Sequence, residues 1–186
     1  MAEANRYGVA TGNFSATATW SATSGGSGGA SVPATDQHAI IESGVNVTLD
    51  ASDEIASLTV DSGGTFTGGA YTLTINNEGD ATYGTNGQAL RNNGTFVHGN
   101  CTVLITGPTD GHTTIKGFTS SHPLKNLTIN NSGSNRTTFM EGAIEIEGDL
   151  VLTDGTFDTQ GQGPLDVVGD VTLASGTIFN GGDSTI

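Results

Sequence analysis

Along most of the chain, short stretches alternate apolar and polar residues and then stop at a glycine or an asparagine. Val45-Asn46-Val47-Thr48-Leu49 alternates strictly after the Ser43-Gly44 turn. That two-residue period is the pattern of a strand with one face buried. His38–Glu42, Ile55–Val60, Gly63–Phe66, Leu73–Ile75, Gly94–Phe96, Val103–Ile105, Thr114–Ile115, Leu127–Ile129 and Ile144–Ile146 continue the series. No segment carries a helical period, and a short helix near Asp53–Ala56 is the most that the pattern allows. The chain reads as all-β.

The strands come in pairs. Leu58–Val60 is followed by Gly64–Phe66, Leu150–Leu152 by Gly155–Phe157, and Val171–Leu173 by Gly176–Ile178. A glycine between two such short strands supplies the backbone freedom for a sharp corner. The last two pairs also repeat one another. Gly148–Phe157 returns 21 residues later as Gly169–Ile178, with five of ten positions identical and Phe157 aligned with Ile178. A repeat of one strand, a glycine turn and a second strand predicts a right-handed parallel β-solenoid. Coils of roughly 20–24 residues at about 4.8 Å per layer would make a rod on the order of 30–40 Å long. The alternative is an antiparallel β-sandwich, which also uses short, regularly spaced strands.

Residues 1–36 have a different texture. Tyr7, Phe14 and Trp20 are spaced by small polar residues and followed by Ser24-Gly25-Gly26-Ser27-Gly28-Gly29 and Pro33. An open first coil would expose apolar core and strand edge, so these aromatics predict an N-terminal cap over residues 1–36. Coils then fill 37–186, interrupted by loops near 78–93 and 106–126.

Composition narrows the functional classes. The 186 residues include 29 glycines, and 5 Lys+Arg stand against 19 Asp+Glu for a net charge of −14. Such a surface repels nucleic acid and anionic membrane. It keeps a β-rich exterior soluble, or it attracts divalent cations or a basic partner. The single Cys101 excludes an internal disulfide and any cysteine-based zinc cluster, and its strand setting predicts a buried, inert thiol. The opening Met1–Arg6 lacks the features of a secretion signal, and no apolar run reaches membrane-spanning length, so synthesis as a soluble cytoplasmic product is expected. Asn-X-Ser/Thr triplets at Asn46, Asn93, Asn126 and Asn135 then read as turn asparagines.

Candidate chemistry is sparse. Asp149 and Asp170 would stack on adjacent coils, with Asp154, Asp158 and Asp166 nearby. Side chains one coil apart sit about 5 Å from each other, a distance compatible with turn capping, a calcium site or a carboxylate pair. Turn capping is the preferred reading, calcium the only cofactor considered, and no catalytic residues are assigned. His38, His98, His112 and His122 lack metal-ligand spacing. Trp20, as a sugar-stacking platform, and His112 and His122, in an irregular stretch where they could approach each other, are the possible glycan or partner contacts.

Two stretches carry a resemblance. Arg6-Tyr7 through Ala10–Ser15, Thr19–Ser21 and Ser24–Gly26 to Val32-Pro33 resembles the N-terminal motif of β-helical structural proteins of tailed bacteriophages. Leu124–Gly133 and the Gly-Asp-strand-Gly-Thr units resemble the repeats of the same group, which also occur in bacterial surface proteins. Phe14 stands where a Trp is common, and Asp36 alone represents an expected aspartate pair. The resemblance implies a non-enzymatic component of the virion surface: a capsid decoration protein, head fibre or tail-fibre segment. It would touch other virion proteins, and spikes of this kind are built as homotrimers. The alternative is a glycan-binding adhesin or a tailspike-like polysaccharide depolymerase acting on a host surface glycan.

Overall fold

The computed structural model describes residues 4–76, 87–107, 112–131 and 137–181. Strands β1 (Asn5–Gly8) and β2 (Gly12–Asn13) open the chain, and a 3-10 turn at Thr17–Thr19 leads to β3 (Trp20–Ser21). Three strands then recur per turn of the chain. They are β4 (His38–Ile41), β5 (Asn46–Thr48) and β6 (Asp53–Ile55), then β7 (Ser57–Val60), β8 (Thr65–Thr67) and β9 (Thr72–Ile75). The next turn holds β10 (Gly87–Asn92), β11 (Thr95–Val97) and β12 (Thr102–Ile105), followed by β13 (His112–Lys116) and β14 (Asn126–Asn130). Next come β15 (Thr137–Glu141), β16 (Ile144–Ile146) and β17 (Leu150–Asp154), then β18 (Thr156–Asp158), β19 (Leu165–Val167), β20 (Val171–Leu173) and β21 (Ile178–Asn180).

From β4 onward, successive strands belong to different sheets. The long sheet runs β21-β18-β15-β13-β10-β7-β4-β1-β3, a second runs β11-β8-β5-β2, and a third runs β20-β17-β14-β12-β9-β6. A short sheet of β16 and β19 lies apart from these three. Among the described residues, only β1 with β3 pairs antiparallel; every other named pair is parallel. The protein is therefore all-β with parallel sheets, and the antiparallel sandwich is corrected. Crossing to another sheet after each strand from β4 onward leaves no hairpin arms to pair side by side there.

The core lies between the sheets, where each strand sends alternate side chains inward. Like stacks on like. Ile55, Ile75, Ile105, Ile129 and Leu152 follow one another up the third sheet, and all five are fully buried. Phe66 and Phe96 share a register position, with ring centroids 5.2 Å apart, and Phe118 meets Phe96 edge-on at 5.1 Å. The separation between stacked residues varies. It is 19 from Ile41 to Val60, 30 from Phe66 to Phe96 and 21 from Leu152 to Leu173. Most of the ladder runs in straight register despite these differences, with shifts at Gln88/Leu90 and Ile129/Asn130.

Several expectations change in detail. The run Ile55–Val60 is two strands: β6 ends at Ile55, β7 begins at Ser57, and the buried Ala56 turns the corner between the third sheet and the long one. The suggested helix at Asp53–Ala56 is therefore strand and corner. The three glycine-cornered pairs do not occupy one corner. β7 to β8 passes from the long sheet to the second, whereas β17 to β18 and β20 to β21 pass from the third sheet to the long one. Gly63, Gly155 and Gly176 take φ of 83°, 87° and 91° at these corners. A left-handed glycine is a local need of any sharp corner, so it does not identify which corner.

The 21-residue echo also slips. Leu150 pairs with Val171 and Leu152 with Leu173, but Phe157 pairs with Phe179 and not with Ile178. The last corner holds one more residue, so Ile178 lies outside and Phe179 packs toward Phe157 at 5.9 Å. A one-residue slip moves a strand's side chains to the opposite face.

Residues 4–36 contribute in two ways. β1 and β2 already pair in parallel with β4 and β5, and only the stretch after Asn13 folds back. There Trp20 donates its Nε1–H to the Phe14 carbonyl at 2.7 Å and meets the Phe14 ring edge-on at 5.0 Å. Of the expected loops, β10 fills Gly87–Asn92 and β13 fills His112–Lys116. Residues 77–86 and 108–111 lie outside the described residues. The remaining stretch, 117–125, is anchored by buried Phe118 and Leu124.

Candidate functional site

The outer face of the long sheet carries the most varied chemistry. Parallel register places Tyr7, Ile40, Thr59, Arg91, Lys116 and Glu141 in one line across six strands. A neighbouring line holds Asn5, His38 and Ser57. Strand period 2 turns all of these away from the core. Between the two lines lies a groove of about 220 Å³ lined by Tyr7, His38, Ile40, Ser57, Thr59, Asp61 and Arg91.

Several of the groove's polar groups have partners within the protein. Asn5 Nδ2 donates to the Tyr7 hydroxyl at 3.0 Å, and Arg91 Nε donates to Asn93 Oδ1 at 3.3 Å. His38 Nδ1 and Ser57 Oγ are 2.6 Å apart. Both residues are buried, at 4 % and 5 % exposure. The serine–histidine pair ties two neighbouring strands together and forms part of the groove wall. The groove combines an aromatic ring, an aliphatic floor, a guanidinium and a carboxylate, which suits recognition of a polyhydroxylated ligand. Farther along the same face, Lys116 Nζ meets Glu141 Oε2 at 3.1 Å. That pair borders a shallow depression of about 390 Å³ with Gly142, Gln160 and Gln162.

The aspartates form a capping ladder. Asn126 Oδ1 accepts the Asp149 N–H at 3.1 Å, and Asp149 Oδ1 accepts the Asp170 N–H at 3.0 Å. Each side chain thus holds the backbone of the next layer. Asp154 Oδ1 accepts from Gly155 N–H at 2.7 Å. Asp158 accepts from Gln160 N–H at 2.7 Å and from Asn180 Nδ2 at 3.1 Å. Asp166 stands exposed on β19. Among the described residues, no group of three or more His, Cys, Asp or Glu is arranged to hold a metal ion.

Three titratable groups are shifted. Hydrogen bonds from Ser15 hold the Asp50 carboxyl below its ordinary value, with Oγ at 2.6 Å and N–H at 3.0 Å. Burial raises Asp53, which sits in register beneath Leu73 at the edge of the third sheet. Burial also pushes the Cys101 thiol up to about 11, which accords with the inert thiol expected of a strand residue.

The sequence-derived contacts are not brought together. Trp20 is fully buried, and a ring with no exposed face cannot stack on a sugar, so that role is corrected. His112 opens β13 and packs against the Phe139 ring at 4.8 Å. His122 lies in the turn closed by its own N–H to the Thr119 carbonyl at 2.8 Å. One histidine is in a sheet and the other in a connection. His98, Lys125 and Glu147 do meet, with His98 Nε2 at 3.2 Å and Lys125 Nζ at 3.8 Å from Glu147 Oε2. The groove itself was missed, because its residues come from strands far apart in the chain. Only the outward parity of Tyr7, Ile40 and Thr59 hinted at it. Among the described residues, no helix is long and apolar enough to cross a membrane. In comparisons with protein-family models, curated proteins and solved structures, nothing matches this chain.

Proposed function

We propose that the chain is a non-enzymatic structural protein of a tailed bacteriophage particle. In this reading it is a right-handed parallel β-solenoid with an N-terminal aromatic cap, displayed as a capsid decoration, head fibre or tail-fibre segment. The observation that carries it is the like-on-like stacking of the layers, with Ile55, Ile75, Ile105, Ile129 and Leu152 in one column and Phe66 on Phe96 in another. A regular stack of this kind suits a scaffold or fibre element. The stacked aliphatic and aromatic columns support a stiff rod. Right-handedness follows the general preference of parallel crossovers. The acidic surface fits a soluble product made in the host cytoplasm and then docked on the virion as a homotrimer. Mass spectrometry of purified particles, with cryo-EM of the same particles, tests this. The expected result is stoichiometric copies and rod-shaped density, and particles without the chain overturn it.

A second reading, a glycan-binding adhesin or depolymerase, is favoured by the groove beside Tyr7 and Arg91. A glycan array answered by the native protein and silenced by Tyr7→Ala would support binding. Capsule cleavage lost in an Asp149→Asn, Asp170→Asn variant would support the enzyme. A silent array and intact capsule leave the structural reading standing.

A further inference from the structure

The groove on the outer face of the long sheet is laid out as a cross. Across the strands, Tyr7, Ile40, Thr59 and Arg91 share one register line. Along β7 and one residue past it, Ser57, Thr59 and Asp61 alternate outward and line the same groove. The two arms meet at Thr59. Strands lie about 4.8 Å apart, which sets Tyr7 roughly 10 Å from Thr59 with Ile40 as the floor between them. The groove's volume is about 220 Å³, below the roughly 300–1,000 Å³ of sites that enclose drug-sized ligands. It has room for one ring and not for a chain of rings.

The side chains at the crossing still have bonds to offer. Among the described residues, neither the Asp61 carboxylate nor the Thr59 hydroxyl hydrogen-bonds to the protein, and both residues are half-buried. The Tyr7 hydroxyl accepts from Asn5 and keeps its own proton to donate. An ionised carboxylate only accepts, so a ligand beside Asp61 must bring donors. An anionic ligand would meet Asp61 and the field of a chain carrying −14. A cationic one would meet the Arg91 guanidinium across the same groove. We propose that the groove holds a single neutral sugar residue, at the end or a branch of a glycan. Adjacent hydroxyls donate to Asp61, Thr59 and Tyr7 take part in further hydrogen bonds, and the C–H face of the ring packs on Tyr7 and Ile40. Canonical glycoside hydrolysis takes a pair of carboxylates, and Asp61 is the one carboxylate among the described residues lining the groove. The site therefore holds the sugar and leaves it whole. The inference rests on the glycan-binding reading.

Saturation-transfer NMR on the full chain tests it with glucose, galactose and mannose, their uronates and their 2-amino forms. At least one neutral hexose is expected to bind, with a dissociation constant on the order of millimolar, and its charged counterparts more weakly. Loss of a charge-assisted hydrogen bond in Asp61→Asn should weaken binding about tenfold or more. Thr59→Val, which keeps the shape and removes the hydroxyl, should weaken it less. Tyr7→Phe should retain binding and Tyr7→Ala lose it, with circular dichroism of each variant matching the native protein. Preference for a uronate or an amino sugar overturns the proposal, as does binding indifferent to both Asp61→Asn and Thr59→Val. A glycan array answered by oligosaccharides while no single sugar binds sinks this inference and leaves glycan binding standing. A silent array together with no sugar bound sinks both.

Discussion

Removing the Phe96 ring tests whether the stacked aromatic column holds the layers together. Phe96 is 2 % exposed and lies between Phe66, stacked at 5.2 Å, and Phe118, edge-on at 5.1 Å. Phe96→Ala takes away a buried ring and leaves a cavity that the parallel ladder between β11 and β8 resists closing. Substitutions of this kind cost about 3–5 kcal/mol, of which about 0.5–1.5 kcal/mol per pair belongs to aromatic geometry. Against a total stability on the order of 5–15 kcal/mol, that is a large fraction. With a urea dependence of roughly 2 kcal/mol per molar, the midpoint should fall by about 2 M. Phe96→Leu retains much of the volume and should lose less than half as much. Urea titration by far-UV circular dichroism measures both variants. Fluorescence of Trp20, the single tryptophan, reports whether the first layers unfold together with the aromatic column. A midpoint shift below about 0.5 M for Phe96→Ala would refute the reasoning, because the column would then be filler and not support.

Three other outcomes are expected. Gly117 has φ of 88°, and a Cβ there would run into the Asn92 carbonyl oxygen, so Gly117→Ala should lose more than the roughly 1–2 kcal/mol that left-handed backbone alone costs, read from a thermal melt. Asp53 is raised by burial, so its stabilising contribution is present below the unfolded value and lost as pH rises through the folded one. Asp53→Asn should therefore raise the melting temperature at pH 7 and leave it unchanged near pH 3. Cys101, pushed to about 11 and buried, should ignore a disulfide thiol reagent at pH 8 until urea unfolds the chain, and prompt reaction of native protein would contradict its placement.

Much of the fold was legible because strand alternation and glycine corners are local requirements. Val45–Leu49 and Leu150–Leu152 could be read as half-buried strands without knowing their neighbours. That Asp149 would cap backbone was legible too, but the sequence pointed to its own turn, whereas its Oδ1 accepts the Asp170 N–H of the next layer, a partner that only the stacking supplies. The candidate groove was not, because Tyr7, Ile40, Thr59 and Arg91 become neighbours only through ladder register, and the segments between them differ in length. Trp20 shows the converse limit. Its sequence context fits either a sugar platform or a packed aromatic, and only its edge-on contact with Phe14 and its hydrogen bond to the Phe14 carbonyl decide for packing.

The echo of Gly148–Phe157 in Gly169–Ile178 marks the division most sharply. The sequence by itself determined that both units form a strand, a left-handed glycine corner and a second strand. It also determined their shared acidic lead residue and their apolar alternation. The tertiary structure decided that Phe157 stacks on Phe179, because one more residue fits into the last corner. It also decided that Leu152 is buried while Leu173 is half exposed. Alternation specifies which way a side chain points, but burial is conferred by the next layer, and that layer is a property of the stack and not of the strand.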